Sequence, residues 1–253
     1  SGTDVAKEVA DLVLLDDNFR TVVKSVEQGR VVFENVRKVF VYLVADDFSE
    51  LFLFLGAMTM GFPLPLLPAQ ILWINLVEDG FPDIALTTEQ ETKGVMDRKP
   101  RDPKEPILNK SIKKWMAAVF VITGLAAFLS FLILWKLTGD LHQTRTIIFA
   151  LMGLDSLIFA FSVRSFNRTI FRKDIFSNRY LVGGVAIAFL LLIGAVYLPP
   201  LQKLLATQSL GITEWLIIFG VSFFEISLIE FSKVKIFRRN EQTSQCKNLA
   251  MNG

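Results

Sequence analysis

Apolar runs of about 20 residues, separated by short polar stretches, recur six times along this chain. That is the length a helix needs to cross hydrocarbon about 30 Å thick. The first runs from about Val36 to Met60 and the second from about Pro68 to Leu86. Between them lies only Gly61-Phe62-Pro63-Leu64-Pro65, enough for a tight hairpin turn. The third covers about Ile112 to Leu137, the fourth Thr146 to Val163, the fifth Tyr180 to Leu198 and the sixth Trp215 to Phe231. The pattern predicts an all-α membrane protein, a bundle of six transmembrane helices over residues 36–237.

Residues 1–35 are mixed and polar, with no signal peptide. Ala6 to Asp11 read as a short helix, Leu12 to Leu15 as a buried strand, and Asp16-Asp17-Asn18 as a turn or a helix cap. A strand this isolated needs a sheet to join. The chain is therefore expected to be the C-terminal part of a longer polypeptide, and it does not start with Met. From about Phe19 the pattern predicts a helix running unbroken into the first apolar run. The tail, 238–253, is polar and expected to be disordered.

Composition sharpens the membrane reading. Apolar residues make up 52% of the 253, with 23 Phe against 3 Tyr, and the mean hydropathy is +0.45. The charged share is still 21%, so charge is segregated rather than absent. Of the Lys and Arg, eight lie in 87–114, five in 164–179, five from Lys233 onward and six in the first 38 residues. The loops on the other side hold only Lys136, Arg145 and Lys203. That asymmetry places both termini in the cytoplasm. A net charge of +2 gives no case for nucleic-acid binding. The single cysteine, Cys246, excludes an intramolecular disulfide framework.

The chemistry lies in acids within the apolar runs. The first run holds Asp46, Asp47 and Glu50, the second Asn75, Glu78, Asp79 and Asp83, the fourth Asp155, and the sixth Glu225 and Glu230. An ionised group at the bilayer centre costs on the order of 2.5–3.5 kcal/mol. A lone acid can be protonated and hydrogen-bonded to a neighbour, but a cluster calls for a cation, protons or mutual pairing. Asp47 and Glu50, three apart, share a helix face, as do Asn75, Glu78 and Asp79 at i, i+3 and i+4. The short hairpin makes their helices antiparallel neighbours. Gly80 and Pro82 weaken the helix beside them and would expose carbonyls where backbone lines a cavity. An all-oxygen set suits a hard cation such as Ca²⁺, and with no His or Cys nearby Zn or Cu does not fit. Glu230 reads as a snorkelling ion pair with Lys233 near the membrane surface. Asp46, Asp83 and Glu225 have no role assigned by spacing. His142 reads as a solvated loop residue.

Ser1-Gly2-Thr3-Asp4-Val5-Ala6-Lys7, Leu15-Asp16-Asp17-Asn18-Phe19 and Glu27-Gln28-Gly29-Arg30 resemble the end of the phosphorylation domain of type II P-type ATPases. Gln70-Ile71-Leu72-Trp73-Ile74-Asn75-Leu76-Val77-Glu78-Asp79-Gly80-Phe81-Pro82 resembles that family's sixth transmembrane helix. Met96-Asp97-Arg98-Lys99-Pro100-Arg101-Asp102-Pro103-Lys104-Glu105-Pro106 resembles the loop after it. The likeness is nearest to calcium pumps of the sarco/endoplasmic reticulum type and their bacterial relatives. It implies that the six spans are helices five to ten of a transport domain, with residues 1–35 the end of the phosphorylation domain and its stalk helix. Ion ligands would fall on Asp47, Glu50, Asn75, Glu78, Asp79 and Asp155.

The resemblance also implies ATP hydrolysis through an aspartyl-phosphate, coupled to cation transport with protons often returning. ATP and Mg²⁺ would bind domains outside this chain, which has no Asp-Lys-Thr-Gly or Thr-Gly-Glu motif and is expected to be inactive alone. Its partners would be membrane lipids, the N-terminal cytoplasmic domains and transmembrane helices one to four of the same polypeptide. The basic run Lys93 to Lys114 would touch the phosphorylation domain. Asp47, Glu78 and Asp155 stand where calcium pumps have Asn, Thr and Glu. With Glu50 and Asp79 they make five potential negative charges, which makes proton coupling plausible. A Na⁺/K⁺ or H⁺ pump, or a stand-alone cation channel or proton-coupled carrier, are the rival readings. The carrier is disfavoured because the chain shows no internal repeat.

Overall fold

The computed structural model describes residues 2–16, 18–89, 95–97, 106–166, 169–170 and 175–251, with side chains as far as Phe237. Among these residues every regular element is helical. Helix α1, Asp4–Glu8, is short. The strand expected at Leu12 to Leu15 does not form; these residues belong to no element and Leu12 and Leu15 are exposed. Among the described residues no strand is available to pair with it, and a lone strand is not stable by itself.

Helix α2, Phe19–Thr59, starts at Asn18, whose side chain accepts a hydrogen bond from the Arg20 N–H at 3.0 Å. It runs unbroken for 41 residues, about 60 Å at 1.5 Å per residue, so about half its length extends past a hydrocarbon core. Gly61, at φ +72°, reverses the chain into the second span. That span is not one helix. It comprises α3, Pro68–Trp73, a single π-helical turn, Ile74–Glu78, and α4, Gly80–Thr87. The Asp79 N–H reaches back five residues to the Ile74 carbonyl at 3.0 Å. The irregularity thus falls one turn before Gly80 and Pro82, where the sequence pointed. Pro82 sits in the first turn of α4, where a missing N–H breaks no intrahelical bond.

Helix α5, Lys110–Thr138, is capped by the Asn109 side chain and stopped by Gly139 at φ +67°. Asp140 and Asn178 likewise cap α6, Leu141–Val163, and α7, Arg179–Tyr197. The short α8, Pro199–Leu205, leads to α9, Ile212–Met251. The last helix corrects the expectation of a disordered tail. Its Glu, Gln, Lys, Leu and Ala residues are good helix formers, and extending an existing helix needs no new nucleus.

Among the described residues four helices are long and apolar enough to cross a membrane: α5, α6, α7 and the Ile212–Phe237 part of α9. The membrane half of α2 and the broken Pro68–Thr87 segment pack against them in the same bundle. Those two carry the dense acids or the π turn, which is why hydropathy alone does not mark them. Helix α6 is central, packed against α2, α4, α5, α7 and α9, with 83% of its most apolar stretch buried.

The bundle has two apolar cores at different depths. One gathers Leu53, Ala57, Ile74, Phe131, Ile148, Leu151 and Ile218. The other gathers Val41, Tyr42, Leu86, Trp115, Phe159, Ile226 and Ile229. On four helices shared by both cores, a set of buried polar residues falls between the two apolar sections: Asp46 and Glu50 on α2, Thr123 on α5, Asp155 and Ser156 on α6, Ser222 and Glu225 on α9. Glu78 and Asp79 lie likewise between Ile74 and Leu86. The carboxylates therefore form a belt sandwiched between two layers of hydrocarbon side chains.

Candidate cation site

The π turn positions the second span's acids. A π turn carries one residue more than an α turn and is found mostly at functional sites. Here it turns Asn75 toward α2, where its Nδ2 donates to Glu50 Oε2 at 3.0 Å and to the Ile71 carbonyl at 3.1 Å. Glu78 is fully buried against α6 at Gly153, where a Cβ would lie 1.9 Å from Glu78 Oε2. Only glycine lets that carboxylate approach. Asp79, also fully buried, accepts from the Tyr42 hydroxyl at 2.9 Å and from the Ser156 hydroxyl on the same oxygen, Oδ1.

Several acceptors in this belt have no hydrogen-bond partner: Glu50 Oε1, both oxygens of Glu78, Asp79 Oδ2 and Asp155 Oδ2. Orphaned buried carboxylate oxygens are costly unless something positive meets them. They are the donor set a hard cation selects. The oxygens come together in pairs rather than as a closed cage. Among the described residues no group of three or more His, Cys, Asp or Glu is arranged to hold a metal ion.

The six residues singled out by sequence thus separate. Glu50 and Asn75 are in contact, with Glu78 and Asp79 on the adjoining turn. Asp47 is exposed on the outside of α2. Asp155 points away from Asn75, toward Ser222 and Glu225 on α9. On the inner face of α2 the acid is Asp46 rather than Asp47; it is 6% exposed and its strongest electrostatic neighbour is Asp79. Tyr42, Ser156 and Gly153 were missed by the sequence reading. Tyr42 stands four residues before Asp46, and that i, i+4 spacing is the signal that marks it in retrospect.

Two ionic networks flank the belt. Lys233 and Glu230 pair at 2.9 Å, but both are buried rather than snorkelling at the surface. Lys233 Nζ also donates to the Ser162 carbonyl at 2.7 Å and lies over the Trp115 ring. Glu230 accepts from the Ser162 hydroxyl and from the Ile170 N–H at 3.1 Å. Burial near the centre of three elements, not the surface, explains why this pair is fully satisfied. Beyond α4, Glu89 receives Arg164 Nη2 at 2.7 Å and Nε at 2.9 Å, and Asn178 Nδ2 at 2.8 Å. Burial alone would push the Glu89 carboxyl up, but the bonds from Arg164 and Asn178 outweigh it and hold it below its usual range. Asn35 on α2 donates to the Thr87 and Glu89 carbonyls, and Arg30 to that of Val95. Most of the basic run from Lys93 to Lys114, namely Lys93, Arg98, Lys99, Arg101 and Lys104, lies outside the described residues. Exposed His142, at the start of α6, pairs with Gln208 at 2.9 Å.

Residues 63–234 match the model of the cation-transporting ATPase C-terminus. The chain is 40% identical over 223 residues to a calcium-transporting ATPase of Bacillus subtilis, covering 88% of this chain and 25% of that protein. It is 32% identical over 256 residues to calcium-transporting ATPase 1 of Bacillus cereus, covering 95% of this chain and 28% of the relative. To the human calcium-transporting ATPase type 2C member 1 it is 33% identical over 230 residues, covering 88% and 24% respectively. The chain spans about a quarter of the length of these curated relatives.

Proposed function

Since this chain belongs to the cation-transporting ATPase family, matching its C-terminal membrane region, we propose that it supplies part of the intramembrane ion site of an ATP-driven pump whose cargo is Ca²⁺. The observation that carries this reading is the Asn75–Glu50 contact across the hairpin, beside the partnerless oxygens of Glu78 and Asp79. An amide and three carboxylates from two adjacent helices offer hard oxygen ligands at one depth, and the relatives above are named calcium-transporting. Glu50, Asn75, Glu78 and Asp79 hold the ion in this reading. Asp47 joins them from the exposed side of α2, where a helix of the same polypeptide would close the site, and Asp155 contributes from α6.

Five acids in and around one site exceed the charge of one Ca²⁺, so protons return when the ion leaves. ATP and Mg²⁺ act on the N-terminal domains of the full protein. Helix α2 carries the consequence of phosphorylation to Glu50, because one rigid rod joins residues 19–35 to the belt. Both ends of the chain face the cytoplasm, supported by the uneven distribution of Lys and Arg, and lipid surrounds the bundle.

The test is ATPase activity of the full-length protein titrated separately with Ca²⁺, Na⁺ and K⁺. Activation by Ca²⁺ alone in about the micromolar range, lost in Glu50→Gln and Asp79→Asn, is the expected result. Activation by Na⁺ or K⁺ instead, or ion dependence unchanged in both variants, overturns the assignment.

A further inference from the structure

A crevice lies between α6 and α9, closed at one end by the segment that links α6 to α7. Its lining is Ile158, Ile170, Ile175, Phe219, Phe223 and Ile226, and its volume is about 390 Å³. Sites that hold a small ligand run from about 300 to 1,000 Å³. Every side chain that lines it is apolar. Phe219 and Phe223 are 47% and 66% exposed, so the crevice opens outward along the apolar stretch of α9. The linking segment is tied down on both sides of the opening. The Ile170 N–H donates to Glu230 Oε2 at 3.1 Å, the Ile175 carbonyl accepts from Arg164 Nη1, and Phe176 packs edge-on to Phe161 with ring centroids 6.0 Å apart. The space is thereby preformed, which two bare helices facing lipid would not provide.

Water in a chamber walled only by hydrocarbon finds no hydrogen-bond partner there, so the occupant that fits is itself hydrocarbon. Charge selects which molecule brings it. Residues 164–179 hold Arg164, Arg168, Arg172, Lys173 and Arg179 against a single acid, Asp174, and Arg172 and Lys173 fall in sequence between the two isoleucines that wall the crevice. Basic segments at the cytoplasmic ends of spans attract anionic headgroups. We propose that the crevice is a lipid-binding site that takes one acyl chain of an anionic phospholipid, its phosphate drawn to the basic segment between α6 and α7. The chain supplies the fit and the headgroup supplies the choice among lipids. The site rests on the orientation of the bundle in the membrane given above, and not on which cation the pump carries.

The experiment weighs the purified full-length protein in detergent by native mass spectrometry, titrated separately with phosphatidylglycerol and phosphatidylcholine. One phosphatidylglycerol per molecule is expected to stay bound, with a preference over phosphatidylcholine on the order of tenfold from the basic residues. Ile175→Trp, which fills the crevice, is expected to lose that lipid. Arg172→Gln/Lys173→Gln alters none of the lining and is expected to bind the two lipids alike, so it tests the site even where Ile175→Trp lowers the yield of folded protein. Equal retention of both lipids by the wild type, phosphatidylglycerol held by Ile175→Trp as tightly as by the wild type, or an added mass that is a polypeptide rather than a lipid overturns the proposal. ATPase activation by Ca²⁺, measured on the same preparations, keeps the two readings apart. Lipid retained without Ca²⁺ activation sinks the calcium assignment alone, and Ca²⁺ activation without a retained lipid sinks the crevice alone.

Discussion

Tyr42 and Asp79, 37 residues apart, meet at 2.9 Å in the middle of the bundle, the phenol donating to Asp79 Oδ1. Tyr42 is fully buried, its hydroxyl lies 2.6 Å from Ser156 Oγ, and its ring stacks on Phe159. Three helices are therefore tied to one carboxylate oxygen, while Oδ2 is left open. Tyr42→Phe keeps the ring and removes the donor. A hydrogen bond to a charged acceptor contributes about 1.5–3 kcal/mol. Thermal unfolding of the full-length protein in detergent should show destabilisation of that size, with Ser156→Ala adding less than its own single effect because the two share an acceptor.

Gly153 is required by Glu78. A Cβ there would overlap Glu78 Oε2 at 1.9 Å, so Gly153→Ala must displace the carboxylate or the α6 backbone. Overpacking of this kind costs about 1–3 kcal/mol. The pair Gly153→Ala/Glu78→Ala should recover most of the loss measured for Gly153→Ala alone. Additive losses would show that the helices, not the carboxylate, set the limit.

The Glu89–Arg164–Asn178 network ties the end of α4 to the ends of α6 and α7. Arg164→Met leaves Glu89 half-buried with Asn178 as its side-chain partner, and should cost about 2 kcal/mol. The folded Glu89 carboxyl is held below its unfolded value. Its contribution is therefore present above the unfolded pKa and lost as pH falls through the folded one. The gap between wild type and Arg164→Met, followed by thermal unfolding, should be widest near neutrality and should narrow on acidification.

Lys233 and Glu230 form a pair hidden from solvent and lipid alike. Removing one partner strands the other. Lys233→Met should cost about 3–5 kcal/mol, whereas Lys233→Met/Glu230→Leu should come much closer to wild type. Heat-induced loss of folded protein in detergent compares the two directly. A double variant as unstable as the single would mean that the Ser162 and Ile170 bonds to Glu230 carry the effect.

Much of this architecture is legible in the sequence because each span is set by local chemistry. Apolar length marks α5, α6, α7 and α9, and the sequence Gly61 to Pro65 forces the hairpin. The continuity of α2 follows from the absence of any proline between the Asn18 cap and Thr59. The strand at Leu12 to Leu15 was misread because its apolar run is short, and periodicity alone cannot tell whether a partner strand exists. The site was legible as chemistry but not as orientation. Spacing puts Asp47 and Glu50 on one face; whether that face looks inward depends on how α2 rotates against α5 and α6. Gly124 lets Phe52 of α2 press onto α5, where a Cβ would sit 2.8 Å from the Phe52 Cβ, and that approach accompanies an inward Asp46 and an exposed Asp47. The π turn shifts Asn75 to Asp79 by a residue in ways no α-helical spacing rule anticipates.

The belt of carboxylates between two apolar cores also constrains how these helices find one another. Helices α2, α6 and α9 each carry an acid between two apolar sections, so sliding one past its neighbours by a turn moves that acid about 5.4 Å, away from the other oxygens and toward hydrocarbon side chains. Vertical slippage is thereby penalised on these helices at once. The acids act as alignment marks for assembly, fixing the height of helices whose apolar surfaces would otherwise fit at many offsets.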